Sequence, residues 1–521
     1  MEKCMRGKNS IKDLFREHIL AVIFVMFMAV IYLHMMFTNG PWYDELYTYY
    51  YFISRGPVYA AIHWPVPNNH VGYSVLSAFF DFFGNPYVGL RGVSLIASVA
   101  NLILLYKLCI KALDKYLSLF VTALYAGAYL VFRLSVQGRG YSLATTCFLL
   151  ATLACMEICT GNPLKRYFVL FAASLCYGLY IVPSSIYWVM PVCIAGGLYL
   201  LFEKEYVKLL KLFLSGVCAA IVTFFLYVII WLAIGANLLC KEEGSAFFGM
   251  GQVSVILKAP FTAMFKGIEY MTDTPYIQSI DRVECVKGLF DYFSVLCSQY
   301  YDRIGALALV LLSVGVVACI ISLFTDKKIE RNKRFMLFFV ISCSVLVPVM
   351  LIIQSVHPYK RVLSFYLIPL LIAFAICILG LFGAIRKKNR ATIAEVVVMS
   401  LAVIYCVCNV LGGYYNQELA EVENKIESAF EGMNPSEIDT IYYTDDFQKY
   451  VLKFYHDVMP AEVYTLAEAN YVVIGPEQLD ESYTEPVWPV LYPFSQGLLD
   501  DVERDMEEVS SSEGYTVYKR R

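Results

Sequence analysis

The sequence predicts a polytopic α-helical membrane protein of about eleven transmembrane helices. An interfacial helix lies in its first outer loop, and a small α/β domain follows at the C-terminus outside the membrane. Three observations carry this reading. First, 59% of the 521 residues are hydrophobic and 16% charged, against about 45–50% and about 25% in soluble domains. Second, apolar stretches of about 20 residues, the length that crosses a hydrocarbon core as helix, recur between residues 19 and 413. Third, the formal net charge of -3 is a cancellation: residues 415–521 hold 7 Lys+Arg against 23 Asp+Glu, leaving 34 against 21 elsewhere. The two parts therefore carry -16 and +13. An ordinary soluble enzyme is excluded by this composition. Disorder is excluded by 41 Tyr and 35 Phe, because disordered chains are poor in aromatics.

Residues 1–18 form a basic N-terminus. The first span starts at Ile19, and Ile19 to Tyr43 contains no Asp, Glu, Lys or Arg. It is longer than a signal-peptide core and has no clear small-residue cleavage site, so it reads as a retained helix. Further spans are expected near 88–106, 117–134, 141–159, 167–184, 186–202, 212–236, 304–324, 335–354, 362–384 and 392–413. With the N-terminus in the cytoplasm, Lys107, Lys111 and Lys115, then Lys165 and Arg166, then Lys204, Lys208 and Lys211 all fall inside. The clusters Lys327, Lys328, Arg331, Lys333 and Arg334, and Arg386, Lys387, Lys388 and Arg390, do too. An odd number of spans places the acidic domain of residues 414–521 outside the cell membrane. Two long outer loops result, near 38–87 and 236–302, and loops of that length in a compact protein usually carry function.

Within the first loop, residues 70–83 have apolar side chains at helical spacing over too short a run to span, as an interfacial helix does. In the C-terminal domain, 440–443, 471–474 and 515–518 read as strands, and 446–455 and 498–509 as helices. Most of the sixteen cysteines lie in apolar runs as small core residues. Cys285 and Cys297 share one outer loop and are a candidate pair.

Four places at the outer ends of spans hold chemistry-bearing groups, where ionisable residues cost least. Asp44-Glu45 follows the first span between aromatics; such a pair supplies a general base or ligands for a divalent cation, or simply begins a solvated loop. Asn68-Asn69-His70 heads the interfacial helix, where an Asn can also act as its N-cap. Arg91, Arg133 and Arg139 form the third place, and His357-Pro358-Tyr359-Lys360-Arg361 the fourth. Guanidinium and ammonium groups on the outer side suit a phosphate headgroup, while snorkelling toward lipid phosphates is the plainer explanation.

The order Asp44-Glu45, Asn68-Asn69-His70, Leu90-Arg91 and Arg139-Gly140-Tyr141 resembles the integral-membrane GT-C glycosyltransferases. The similarity is greatest to the bacterial protein mannosyltransferase, aminoarabinose transferase and lipopolysaccharide-core galacturonosyltransferase relatives, over roughly residues 19 to 384. Val71-Gly72-Tyr73 departs from the Pro-Leu-Tyr that follows the histidine in many relatives. The resemblance implies transfer of a sugar, hexosyl or pentosyl, from a polyprenyl-phosphate donor to an acceptor glycan, lipid or protein at the outer face, with inversion. It implies Asp44 as general base and Glu45 as its positioning partner. It also implies Asn69, His70, Tyr141 and His357 as acceptor or cavity residues, and Arg91, Arg139, Lys360 and Arg361 as donor-phosphate ligands. A divalent cation at Asp44, Glu45 and His70 has a thin ligand set, and no metal site or nucleic-acid partner is expected. The competing class is a transporter or flippase of lipid-linked sugars or cell-surface polymer. Such proteins tend to show internal repeats and midplane charges, neither of which the sequence displays.

Overall fold

The computed structural model describes residues 17–62, 69–273, 277–326, 328–383, 388–412, 420–431, 433–445, 447–480 and 494–521. Nearly all of the basic N-terminus, Asn68, Lys327, Arg386 and Lys387 lie outside the described residues.

Helix α1 (Ile19–Thr38) carries no ionisable carboxylate, Lys or Arg. The loop after it is itself helical, with α2 (Tyr43–Tyr51) and α3 (Val71–Phe80), the second matching the expected interfacial helix. Helix α4 (Pro86–Cys109) begins with Asn85 accepting from the N–H groups of Tyr87 and Val88 and with proline in its first turn, a pairing that satisfies free donors where the missing proline N–H costs nothing. Asp114 caps α5 (Lys115–Ala126) in the same way.

A bend of 70° then separates α5 from α6 (Tyr129–Val136). The break falls at Gly127, where a Cβ would stand 3.1 Å from the backbone of Cys406. The apolar run 117–134 is therefore a broken element rather than one straight span, and its second half turns Arg133 and Arg139 toward the end of α1. Helices α7 (Tyr141–Thr160), α8 (Lys165–Ile181), α9 (Ile186–Phe202) and α10 (Tyr206–Lys241) follow. The second long loop is again helical, with α11 (Pro260–Asp273) and α12 (Leu289–Tyr300), before α13 (Gly305–Thr325), α14 (Arg331–Gln354), α15 (Leu367–Gly383) and α16 (Lys388–Leu411).

Nine helices among the described residues are long and apolar enough to cross a membrane, and ten if α5 and α6 make one span. The eleventh expected stretch is α8, whose 17 residues run about 26 Å, slightly short of the hydrocarbon core. Helices α9 and α15, of equal length, are by contrast each extended by 3-10 turns, at Pro183–Ser185 and Lys360–Tyr366. Lipid-facing stripes are plain: Leu307, Val310, Val314 and Val317 on α13 are all more than half exposed, at the spacing of one helix face.

The C-terminal region comprises α17 (Glu421–Ala429), β1 (Thr440–Tyr442), α18 (Phe447–His456), β2 (Ala461–Val463), β3 (Tyr471–Ile474), α19 (Gln496–Asp505), β4 (Met506–Ser512) and β5 (Tyr515–Arg520). The sheet order is β2-β1-β3-β5-β4, with β1 parallel to β2 and β3, and β5 antiparallel to β3 and β4. The expected helix 498–509 ends at Asp505, and Met506 onward pairs with β5 instead. Cys285 and Cys297 are buried free thiols, so the candidate pair is not a disulfide.

This region does not close its core alone. Tyr43, Leu46, Tyr47, Phe52 and Ala60 of the first loop share one apolar cluster with Ile426, Phe430, Ile441, Tyr450 and Val473. Tyr43 meets Phe447 edge-on at 5.0 Å, and Tyr50 stacks on Tyr450 at 5.7 Å. Fully burying a ring such as that of Tyr43 or Tyr450 contributes roughly 1.5–3 kcal/mol, so α2 is anchored to the C-terminal region by its aromatics.

Helices α10 and α11 touch through glycines: a Cβ on Gly235 would overlap the Ala263 carbonyl, and one on Gly267 the Trp231 carbonyl. Gly267→Val is expected to lower the melting temperature of the detergent-solubilised protein, since overpacking such a contact costs about 1–3 kcal/mol or more. Gly216→Val, where nothing lies within 4 Å, is expected to leave it unchanged in the same thermal scan.

Candidate functional site

The site is built around the corner where α1 ends and α2 begins. Arg91, in the second turn of α4, donates Nε to Glu45 Oε1 at 2.7 Å and Nη2 to Glu45 Oε2 at 2.8 Å. Its remaining N–H groups bind the carbonyls of Met36 at 3.1 Å, Asn39 at 2.7 Å and Gly40 at 2.9 Å. All five guanidinium donors are thus in use. Glu45 further accepts the N–H of Gly138 at 2.5 Å and of Trp42 at 3.1 Å, the latter as the reach-back half of a capping box. Both side chains are 2% exposed or less.

This geometry corrects one expectation: Arg91 is not placed to take a donor phosphate, because every N–H it has is engaged inside the protein. Glu45 is tied to α4, to the turn after α6 and to its own helix start.

Asp44, one residue back and about 100° around the helix, faces a different environment. Its Oδ2 lies 3.3 Å from Arg361 Nη1 and 3.9 Å from Arg139 Nη2. The oxygen is buried and takes no aligned hydrogen bond among the described residues. Arg139 donates Nη1 to Thr48 Oγ1 at 2.6 Å and to the Asp44 carbonyl at 3.3 Å, which fixes it across the first turn of α2. Trp42, the residue before the helix, lies under two cations: Arg133 at 5.3 Å and Arg361 at 5.5 Å from the ring centre. Arg361 also stands 4.9 Å from the Tyr359 ring. The indole face attracts guanidinium groups electrostatically, and Trp42 thereby gathers two of them beside Asp44. Trp42 and Arg133 complete the cluster; Arg133 stood among the outer-side cations of the sequence, whereas Trp42 had no role in the site assigned there.

His70 joins from the head of α3. Its Nδ1 accepts the Gly140 N–H at 2.9 Å, which leaves the ring proton on Nε2. Its ring meets Tyr141 edge-on at 4.8 Å. Burial, then the charges of Arg139 and Arg361, hold the imidazole well below the usual histidine range. Asn69 does not line the cavity as expected: its Nδ2 binds the Ala60 carbonyl at 2.9 Å and its Oδ1 accepts from Ser74 at 2.7 Å, so the amide staples the loop.

His357 and Lys360 belong to a neighbouring group. His357 Nε2 meets the Cys285 carbonyl at 3.0 Å and its ring stacks on Tyr292 at 5.0 Å; it is engaged there rather than beside Asp44. Lys360 Nζ stands 3.8 Å over the same Tyr292 ring. A cavity of about 700 Å³ opens beside this group, lined by Leu289, Phe293, Val317, Pro348, Tyr366 and Leu370 among others. Among the described residues no three His, Cys, Asp or Glu side chains converge as metal ligands.

Residues 70–231 match the family model of dolichyl-phosphate-mannose-protein mannosyltransferases. That match covers 162 of the 521 residues. Among solved structures the chain is similar to ArnT from Cupriavidus metallidurans. The form bound to undecaprenyl phosphate gives a TM-score of 0.57 at 12% identity, covering 96% of this chain and 97% of that one. The apo form gives 0.58 at 11% over the same shares. The apo oligosaccharyltransferase of Archaeoglobus fulgidus gives 0.46 at 12% identity, over 90% of this chain and 71% of that one. No curated protein matches the chain by sequence.

Breaking the Glu45–Arg91 pair from one side leaves a buried charge unmatched, at roughly 3–5 kcal/mol. Glu45→Ala and Arg91→Ala are each expected to lower unfolding midpoints by amounts consistent with that cost, and the double substitution to cost less than their sum in a double-mutant cycle. For His70 the folded-state pKa is depressed, so as pH falls below about 6.5 the unfolded chain takes up a proton that the folded one resists. As the pH is lowered from 7 to 5.5, wild type is expected to lose melting temperature relative to His70→Gln scanned under the same conditions, because only wild type carries this histidine.

Proposed function

We propose that this protein transfers a sugar from a polyprenyl-phosphate donor to an acceptor at the outer face of the membrane, with inversion at the anomeric carbon. The observation that carries this reading is Asp44: a buried carboxylate with an unaligned oxygen, set 3.3 and 3.9 Å from two guanidinium groups. In that arrangement Asp44 is the catalytic base. It takes the proton of the acceptor's hydroxyl or amine as that atom bonds to the anomeric carbon. The bond from that carbon to the phosphate oxygen breaks, and the lipid phosphate leaves with the electron pair.

The charge developing on the leaving phosphate needs preorganised cations rather than an acid. Arg361, Arg139 and Arg133 supply them, with Lys360 guiding the headgroup. His70 and Tyr141 line the same site as neutral groups. The cavity beside Tyr292 and Tyr366 suits the polyprenyl tail, and the similar ArnT structure holds undecaprenyl phosphate, a lipid of that class. The N-terminus is cytoplasmic in this reading, and the region from 414 onward lies outside with the site.

A positioned general base contributes about 10²–10⁴-fold to rate. With purified protein and a panel of polyprenyl-phosphate sugars, with and without chelator, Asp44→Asn is expected to lower transfer by that factor while expression and melting stay near wild type. Near-normal turnover would remove Asp44 from the chemistry. Arg361→Ala is expected to raise the donor KM more than it lowers kcat, and an unchanged dependence on donor concentration would count against the phosphate clamp.

A further inference from the structure

The first N–H groups of any helix have no acceptor within that helix and must find one elsewhere. In α2 the Trp42 N–H has Glu45. The Tyr43 N–H has Glu423, whose Oε1 accepts it at 2.6 Å across 380 residues of sequence. Glu423 sits on α17, the first helix of the C-terminal region, and is 1% exposed. A buried carboxylate is costly unless its charge is met, and here it is set against the positive end of α2. Burial pushes its carboxyl up to about 7. The groups facing it are Glu45 on α2, Asp445 before α18, Tyr455 on α18 and Tyr515 on β5.

The next residue of α17 makes an independent contact with the same corner. A Cβ on Gly40 would overlap Asn424 Oδ1 and stand 3.0 Å from the Tyr455 hydroxyl. The chain between α1 and α2 thus passes directly against the Asn424 side chain of α17. Gly40 is also one of the three carbonyls that Arg91 binds. The corner is therefore held from the membrane side by α4 and from the polar side by α17.

We propose that Glu423 is a positioning residue for the transfer reaction: through Tyr43 it sets the first turn of α2, and so the place of Asp44, making the C-terminal region part of the catalytic assembly. This rests on Asp44 as the base, and it deepens that reading by giving the C-terminal region a defined task. Glu423 touches neither donor nor acceptor in this account.

The test compares full-length wild type, Glu423→Leu, Glu423→Gln and Gly40→Ala by residue-resolved hydrogen–deuterium exchange together with transfer kinetics. Leucine fills the space but offers no acceptor, whereas glutamine keeps a carbonyl oxygen. Loss of a hydrogen bond to a charged group corresponds to about ten-fold or more in opening. The Tyr43 amide is thus expected to exchange at least about ten-fold faster in Glu423→Leu and near the wild-type rate in Glu423→Gln. Strand β3 is expected to keep its protection in both. Transfer by Glu423→Leu is expected to lose kcat by about the same factor with the donor KM nearly unchanged, and Glu423→Gln to restore it. Gly40→Ala, which leaves Glu423 in place and drives its methyl into Asn424, is expected to repeat the exchange pattern, and decides the matter if Glu423→Leu also unprotects β3. Unchanged Tyr43 exchange in both Glu423→Leu and Gly40→Ala overturns the proposal, as does a kcat unaffected by a ten-fold loss of protection. Should wild type itself transfer no sugar, the reading of Asp44 as base fails while the exchange data still decide whether Glu423 holds α2.

Discussion

The bidentate pair between Glu45 and Arg91 is the constraint on which the rest of the site depends. A guanidinium buried at a membrane boundary needs a counter-charge and an acceptor for every N–H. Arg91 meets that need with one carboxylate and three carbonyls at the end of α1, of Met36, Asn39 and Gly40. In doing so it ends α1, fixes the corner and sets the azimuth of α2. Asp44 then has one direction available, away from α4 and toward Arg139 and Arg361. Two adjacent carboxylates receive opposite tasks because one faces a saturated lock and the other a partly open rim.

The elements that bring cations to that rim are the irregular ones. The 70° break at Gly127 turns α6 so that Arg133 reaches the Trp42 ring. The turn Gln137 to Gly140 then hands one N–H to Glu45 and another to His70. The 3-10 turns of Lys360–Tyr366 carry Arg361 to Asp44 and leave Lys360 over Tyr292. Straight spans would have kept these charges in separate places. The broken helix pairs an apolar frame with a polar corner.

Much of the architecture was legible because hydropathy acts over twenty residues at a time: the spans, the interfacial helix at 71–80 and strands such as 471–474 emerge directly from pattern. What pattern missed depends on contacts distant in sequence. The distinction between Asp44 and Glu45 is set by Arg91, 46 residues on. Arg91 looked like a phosphate ligand because its charge was visible and its five acceptors were not. Asn69 and His357 looked free for the same reason. Residues 506–509 read as the end of a helix, and they became strand because β5 offers them a partner. Trp42 read as a membrane-interface aromatic, and only the fold shows that it gathers Arg133 and Arg361.

The central claim is that a lipid phosphate binds the arginines around Asp44 with its tail in the apolar cavity beside Tyr292 and Tyr366. A structure of the full chain with bound polyprenyl monophosphate tests it most directly. The account predicts phosphate oxygens at hydrogen-bond distance from Arg361 and from Arg133 or Arg139, with the tail running past Phe293 and Leu370. A phosphate bound elsewhere, with Asp44 still paired to Arg361 as in the unliganded chain, would contradict it.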